Sequence, residues 1–197
     1  MTPIYFDLET LPDPRGPAAY SHRVKADGRL KDPERIAADV AAKSIELWKE
    51  TSLNPIKGFI CVIAFAVGDG PVESLVGEER DILSAFRQRM DGRKLVAFNG
   101  KSFDGPYLRV RGLRYGLYFP KFVVDPREEL LGYDMKRQPF TTLADFAEYL
   151  GITHSDDVKG SEVSTLWFTN PEKVVSHARS DVEVLREISR RVFPDGV

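Results

Sequence analysis

The chain has 197 residues, 42% of them hydrophobic and 29% charged, and its formal net charge at pH 7 is −2. These values describe a globular chain and exclude a disordered or fibrous one. They also do not fit a polybasic nucleic-acid binder, although a local basic groove remains compatible with them.

Local patterns predict strands and helices that alternate along the chain. The predicted strands are 4–9, 58–67, 72–76, 94–98 and 122–124. The predicted helices are 33–50, 79–90, 106–112, a segment that Thr142 caps and Gly151 ends, and 171–192. The order is a hairpin followed by strands joined through helices, which predicts a single α/β domain with a mixed β-sheet flanked by helices.

The single cysteine, Cys61, excludes an internal disulfide. It lies in an apolar run, 59–67, that is far shorter than the roughly 20 residues of a membrane span. The N-terminal sequence lacks the basic segment of a signal peptide. We therefore expect a cytoplasmic protein that does not associate with membranes.

Two carboxylates share one face of the first predicted strand. Asp7 and Glu9 point to the side opposite Phe6 and Leu8. Residues i and i+2 lie about 6–7 Å apart along a strand, and two flexible carboxylates at that spacing can close on one divalent cation. A solvated edge face is the alternative.

Asp104 and Asp181 are two further carboxylates of interest. Asp104 precedes Gly105-Pro106, where an aspartate is also an ordinary N-cap. Asp181 occupies the missing position of an apolar stripe on the last helix. The other members of this stripe are Val174, Ala178, Leu185, Ile188 and Val192. A buried carboxylate needs a positive partner, so a metal ion or a buried arginine is expected beside Asp181.

Histidines add little by themselves. His177 lies one turn before Asp181 on the same face, where it is a candidate base near neutral pH or a satisfied core residue. His22 and His154 lie in loop-like sequence and receive no role. The sequence contains no phosphate-binding loop, nucleophile elbow or Cys-x-x-Cys motif that would indicate a different chemistry. A set of carboxylate ligands suits Mg²⁺ or Mn²⁺.

Three segments resemble, in order, the motifs of the DEDD superfamily of 3′–5′ exonucleases. They are Phe6-Asp7-Leu8-Glu9-Thr10, Phe98-Asn99-Gly100-Lys101-Ser102-Phe103-Asp104, and His177-Ala178-Arg179-Ser180-Asp181. The second resembles the Asn-x-x-x-Phe-Asp form of family B DNA polymerases. Segments 160–163 and 170–182 resemble a bacterial group of stand-alone domains similar to the polymerase B proofreading exonuclease. These resemblances span nearly the whole chain.

The resemblance implies a ribonuclease H-like fold and a 3′–5′ exonuclease that releases 5′-mononucleotides from DNA, with single strands favoured. It implies two divalent cations, Mg²⁺ or Mn²⁺. Asp7 would bridge both, Glu9 and Asp181 would hold the one that activates water, and Asp104 would serve the other. His177 would accept the proton or orient the water. The residues implied to contact the 3′-terminal part of the substrate are Thr10, Leu11, Asn99, Phe103 and Arg109.

The substrate backbone needs positive charge near the site, and segment 105–124 offers it without any acidic residue. Its basic and aromatic members are Arg109, Arg111, Arg114, Lys121, Tyr107, Tyr115, Tyr118 and Phe119. The aromatic rings among them are candidates for stacking on bases. The alternative is a solvated helix face above core aromatics.

Two features depart from the family pattern. The polymerase B-like group usually has Tyr four residues before the last Asp, and the histidine branch has His five residues before it. Here His177 stands four residues before Asp181. This departure affects the role of His177 as base or water-orienting residue and leaves the expected metal ligands unchanged. A helical insertion at about 12–56 is longer than a minimal domain needs, and we expect it to pack rather than line the substrate groove. An RNA 3′–5′ exonuclease and a catalytically silent nucleic-acid-binding module share these motifs and stay open.

Overall fold

A five-stranded mixed sheet forms the centre of the fold. The computed structural model describes residues 2–132, 141–154 and 158–197. The strands are β1 Ile4–Leu11, β2 Phe59–Val67, β3 Glu73–Val76, β4 Leu95–Val96 and β5 Val123–Val124. Their order across the sheet is β3-β2-β1-β4-β5. The β1–β2 and β2–β3 pairs are antiparallel, and the β1–β4 and β4–β5 pairs are parallel. The predicted mixed sheet and the predicted β2–β3 hairpin are confirmed.

Seven α-helices surround this sheet in the described residues. They are α1 Pro33–Lys49, α2 Glu79–Met90, α3 Asp104–Arg114, α4 Pro126–Leu131, α5 Leu143–Leu150, α6 Val163–Thr169 and α7 Pro171–Val192. Short 3₁₀ helices cover Pro17–Arg23, Glu50–Leu53 and Gly160–Glu162. Among the helices described, none combines the length and apolarity needed to cross a bilayer.

The alternation along β1 divides the core between the two faces of the sheet. Ile4, Phe6 and Leu8 pack with residues of α2 and α3 on one face. Tyr5 and Leu11 pack with residues of α6 and α7 on the other. Because side chains alternate along a strand, Asp7 and Glu9 share the face that α7 covers. The strand thus directs its two carboxylates towards the helix that carries Asp181.

Helix caps fix most helix starts where the sequence predicts them. The Asp32 carboxylate accepts hydrogen bonds from the backbone N–H groups of the first turn of α1, and Pro33 occupies the first helical position. Thr142 and Asp145 form a reciprocal capping box on α5. Asn170 caps α7 in the same manner as Asp32. Prediction misses α4 and α6, although Asp125-Pro126 before α4 repeats the Asp-Pro signal of α1.

The 12–56 insertion packs around one buried aromatic residue. Tyr20 is almost fully buried, and its hydroxyl donates to the Asp13 carboxylate at 2.6 Å. The indole N–H of Trp48 on α1 donates to the Asp13 backbone oxygen at 2.7 Å. These contacts pack α1 against the start of the insertion. Both ends of the insertion reach a groove of about 860 Å³ at the carboxyl end of β1, which Asp13, Arg15 and Ile56 help to line.

Candidate active site

An opening in the sheet beside β1 admits the first functional side chains. The two-residue strand β4 pairs only with Ile4 and Tyr5. The chain then leaves the sheet, and no strand among the described residues pairs with that side of β1 from Asp7 onward. The predicted strand 94–98 is therefore too long. Helix α3 then begins at Asp104.

Asp7 lies at the centre of the site and is only partly exposed. Burial, and after it repulsion from the Asp181 carboxylate, raise the pKa of the Asp7 carboxyl from 3.8 to about 7. His177 and the backbone N–H of Leu8 act in the opposite sense. A carboxyl with this pKa shares its surroundings with another acid and lacks full compensation by positive charge.

Asp104 is 3% exposed and is the first residue of α3. The N-cap position belongs to Phe103, and no side-chain cap hydrogen bond is made there, so the interpretation of Asp104 as an ordinary N-cap is wrong. Burial raises the pKa of Asp104 well above its usual range, and repulsion from Asp7 adds to the rise. Asp7 thus interacts electrostatically with Asp181 on one side and Asp104 on the other.

Helix α7 brings Asp181 and His177 to the same place. His177 is buried, and its Nδ1 lies 3.7 Å from Oδ1 of Asp181 one turn later. Its Nε2 lies 3.4 Å from Oε1 of Glu9 on β1. The prediction that Asp181 interrupts the buried stripe of α7 is confirmed, since the flanking Ala178 and Leu185 are buried. The imidazole bridges the two carboxylates that the motifs place on different elements.

His154 is a site residue that sequence reasoning missed. Its Nε2 lies 3.0 Å from the same Oδ1 of Asp181, and its side chain is 12% exposed. It stands three residues after Gly151, which ends α5 in the left-handed conformation. No periodicity marks a residue in such a loop, so only the tertiary structure reveals its partner. Two imidazoles therefore face the Asp181 carboxylate.

A second missed group surrounds Asn99. The backbone N–H of Asn99 donates to Oδ1 of Asp125 at 3.1 Å, and its side-chain oxygen accepts from Arg127 at 3.3 Å. Both Asp125 and Arg127 are buried, and the Asp125 carboxylate adds to the repulsion felt by Asp104. Asn99 has φ 57°, a left-handed conformation that asparagine tolerates better than most residues. These contacts hold the turn between β4 and α3.

The other residues predicted to contact substrate lie around the site in different environments. The Thr10 hydroxyl donates to the backbone oxygen of Ser52 at 2.8 Å, and Leu11 is buried, so their side chains point into the fold. Phe103 packs on the Tyr107 ring with 5.0 Å between centroids. Phe103, which directly precedes Asp104, is partly exposed.

Three of the eight basic and aromatic side chains named in segment 105–124 are buried. Arg111 is buried in a two-point ion pair with Glu79, with N···O distances of 2.8 and 2.6 Å. Tyr107 and Phe119 are also buried. The expectation that these three residues contact nucleic acid is wrong, because packing and a long-range ion pair use them. Arg109 stays partly exposed, and its Nη1 donates to the backbone oxygen of Lys121 at 3.2 Å.

The donor groups fit divalent cations in chemistry. Within residues 2–132, 141–154 and 158–197, no three His, Cys, Asp or Glu side chains form a ready-made ligand set. The Asp7 carboxylate instead repels two others, those of Asp181 and Asp104. A bound cation would relieve this electrostatic repulsion. Carboxylate oxygens without thiolates suit Mg²⁺ or Mn²⁺. The nearby Cys61 is a buried thiol that donates to the Glu9 backbone oxygen, and burial raises its pKa.

Comparison with known proteins identifies the family of this chain. Residues 49–192 match RNase_H_2, a family described as RNase_H superfamily. The chain belongs to the RNase H superfamily. Its ribonuclease H-like fold is thereby confirmed, since the mixed sheet flanked by helices agrees with that family.

Two polymerases are similar to this RNase H-superfamily chain. A DNA polymerase of Pyrococcus glycovorans is 26% identical in an alignment 159 residues long, which covers 68% of this chain and 20% of that protein. The family B DNA polymerase of the hyperthermophilic archaeon Pyrobaculum calidifontis shares the fold with a TM-score of 0.62 at 18% identity, over 98% of this chain and 25% of that one. The chain spans a fifth to a quarter of these proteins. The resemblance to the DEDD exonucleases and family B DNA polymerases that the motifs indicate is confirmed.

Proposed function

We propose that this chain is a metal-dependent 3′–5′ exonuclease that removes 5′-mononucleotides from the 3′ end of single-stranded DNA. The observation that carries the proposal is the convergence of Asp7, Asp104 and Asp181 from three separate elements. Each element supplies one DEDD-like motif, and the chain belongs to a superfamily with nuclease chemistry. We propose further that residues 1–197 act as one exonuclease domain.

The four carboxylates would hold two divalent cations. Asp7 would contact both, Asp181 and Glu9 would hold one, and Asp104 would hold the other. When bound, such cations lower the pKa of water and stabilise negative charge on phosphorus and on the leaving oxygen. The central position of Asp7 between the Asp181 and Asp104 carboxylates supports this assignment.

His177 is the residue that we propose for proton transfer. Its Nε2 faces Glu9 and its Nδ1 faces Asp181, so the ring is held in one plane between two acids. An imidazole in this setting can take up the proton that water loses as it attacks phosphorus, or orient that water. His154 contacts the same Asp181 oxygen, Oδ1, and acts as a positioning residue.

The remaining contacts would orient the substrate. Phe103 and the backbone at Thr10 and Leu11 would lie beside the terminal nucleotide, with Asn99 holding the turn that supports Asp104. Arg109, on the exposed side of α3, would neutralise a phosphate. The nucleic acid is the proposed partner, bound through local contacts and through the cations rather than through a general basic surface.

A substrate panel tests this function. Purified protein is incubated with single-stranded DNA, duplex DNA and RNA of one sequence, each with Mn²⁺ and with EDTA. We expect Mn²⁺-dependent shortening of the single-stranded DNA, and its loss in Asp7→Ala and Asp181→Ala. Degradation at the wild-type rate by either variant would contradict the metal assignment. A strong preference for RNA would replace DNA as the substrate while leaving the chemistry intact.

A further inference from the structure

Residues 115–122 form a strap that runs back along α3 towards the candidate active site. The strap begins where the Leu117 N–H donates to the Gly112 backbone oxygen at 2.9 Å. It reaches the middle of α3 where Arg109 donates to the Lys121 backbone oxygen at 3.2 Å. The chain then enters β5, whose Val123 touches the start of α3 near Gly105. The strap is therefore antiparallel to α3 and ends at the end of α3 that carries Asp104.

Close packing fixes the strap in this position. A Cβ atom on Gly112 would lie 2.6 Å from the Phe119 ring, so only glycine allows the ring to sit on the helix at that point. Phe119 is 6% exposed and stacks 6.5 Å from Phe86 of α2. On the outer side, Arg87 donates to the Tyr118 backbone oxygen at 2.8 Å. The strap backbone is thus held from both neighbouring helices.

Two aromatic side chains of the strap point to solvent although their neighbours are buried. Tyr118 is 77% exposed and Phe122 is 83% exposed, on either side of the buried Phe119. A large ring at such exposure contributes little to the fold. Two of them on one anchored segment form a surface suited to a flat apolar ligand.

The segment that carries these rings has charges of one sign only. No Asp or Glu occurs between residues 105 and 124. Arg109 is partly exposed, and Arg114 and Lys121 are exposed in the same segment, with Arg87 exposed on the adjoining helix. Exposed aromatic rings between cations and without acids match a strand of unpaired nucleotides, whose bases stack and whose phosphates need positive charge.

The strap is continuous with the candidate active site. Helix α3 has 11 residues, so it runs roughly 16 Å from Asp104 to Arg114 at about 1.5 Å per residue. A strand whose 3′ end lies at Asp104 can follow the helix and meet Phe122 first and Tyr118 later. This direction places the rings on nucleotides that are upstream of the bond to be cut.

We propose that the strap is a stacking track that holds the unpaired part of a DNA strand upstream of its 3′ end. The proposal rests on the exonuclease function proposed above and adds the residues that select long, unpaired strands. Phe122 and Tyr118 each stack on a base, and Lys121 and Arg114 contact phosphates. Paired bases present no free face to these rings, so duplex DNA gains nothing from them.

Equilibrium binding tests the track separately from catalysis. Fluorescence anisotropy with a labelled 12-nucleotide single strand and EDTA gives the Kd of the wild type, Phe122→Ala and Tyr118→Ala. We expect each variant to bind about fivefold more weakly or worse, as the loss of one stacked base predicts. Phe122→Trp keeps a stacking ring and should retain wild-type affinity. Tyr149→Ala is the matched control, because Tyr149 is 85% exposed on α5.

Salt dependence and a short substrate complete the test. Lys121→Gln should reduce the slope of log Kd against log salt concentration by about 0.7, the value for one lost contact on a single strand. Hydrolysis of p-nitrophenyl thymidine 5′-phosphate, which has no upstream nucleotides, should remain unchanged in all these variants. Wild-type single-strand affinity in Phe122→Ala and Tyr118→Ala would overturn the track. If the wild-type protein does not hydrolyse p-nitrophenyl thymidine 5′-phosphate, the proposed function is overturned instead.

Discussion

Replacing Asp7 by asparagine should make the metal-free protein more stable and inactive at the same time. In the folded state the pKa of Asp7 rises from its ordinary 3.8 to about 7, because burial and the Asp181 carboxylate disfavour its ionised form. An amide at this position carries no charge at any pH. The Asp7→Asn variant therefore lacks the repulsion between residue 7 and the Asp181 carboxylate that is present in the wild type.

The size and sign of this effect follow from proton linkage. Below about pH 4 both the folded and the unfolded state hold the Asp7 proton, and the residue costs nothing. Between that pH and about 7 the unfolded state ionises while the folded state does not, so wild-type stability falls as the pH rises. A shift of roughly three pKa units corresponds to at most about 4 kcal/mol above pH 7. The uncharged amide oxygen of asparagine is a weaker acceptor for the Leu8 N–H than a carboxylate, which reduces the gain, and we expect about 1–3 kcal/mol.

Urea unfolding in EDTA at pH 5 and pH 8 measures this effect. The advantage of Asp7→Asn over the wild type should be larger at pH 8. Mn²⁺ should then stabilise the wild type more than the variant, because a ligand stabilises the state that binds it. Asp195→Asn, at an exposed position, is the control. Equal or lower stability of Asp7→Asn at pH 8 would refute the reasoning.

Three further substitutions test other parts of the structure. His154→Ala should lower kcat and Mn²⁺ affinity by about 10-fold or more, since it removes the group that holds a proposed ligand at 3.0 Å. Glu79→Ala should destabilise the protein by about 3–5 kcal/mol in urea unfolding, because Arg111 keeps its charge in the core. Gly112→Ala should cost about 1–3 kcal/mol, since its Cβ would displace the Phe119 ring.

Each of these expectations has an outcome that contradicts it. Unchanged Mn²⁺ affinity in His154→Ala would show that this histidine does not position its carboxylate. Glu73→Ala is the matched control for Glu79→Ala, since Glu73 forms an exposed ion pair whose loss should cost less than about 1 kcal/mol. Equal losses in the two variants would refute the role of burial. A Gly112→Ala protein with wild-type stability would show that the strap is free to move.

Local signals predict the parts of this fold whose causes are local. The cap of α1 at Asp32 and the capping box at Thr142 depend on neighbouring residues, and both are confirmed. The interrupted stripe of α7 likewise locates Asp181 correctly, because the helical period alone assigns it a core-facing position. The β2–β3 hairpin is likewise predicted by local signals and is confirmed.

Long-range pairings explain what prediction misses. Arg111 reads as a phosphate contact in the sequence, yet Glu79, 32 residues earlier, neutralises it in the core. His154 meets Asp181 across 27 residues from a loop that has no period. The length of β4 depends on where its chain leaves β1, which no local pattern records. Asp125 is different, since its Asp-Pro signal was readable as a helix start but gave no sign of its contact with Asn99.

The polarity and metal requirement of cleavage test the central claim most directly. A single-stranded DNA labelled at its 5′ end is incubated with the wild type and with Asp104→Asn, in Mn²⁺ and in EDTA. The account predicts a ladder of labelled products that shorten one nucleotide at a time, 5′-mononucleotides as the released product, and no cleavage in EDTA or in Asp104→Asn. Immediate release of a labelled mononucleotide, internal fragments as the first products, or undiminished cleavage in EDTA would contradict it.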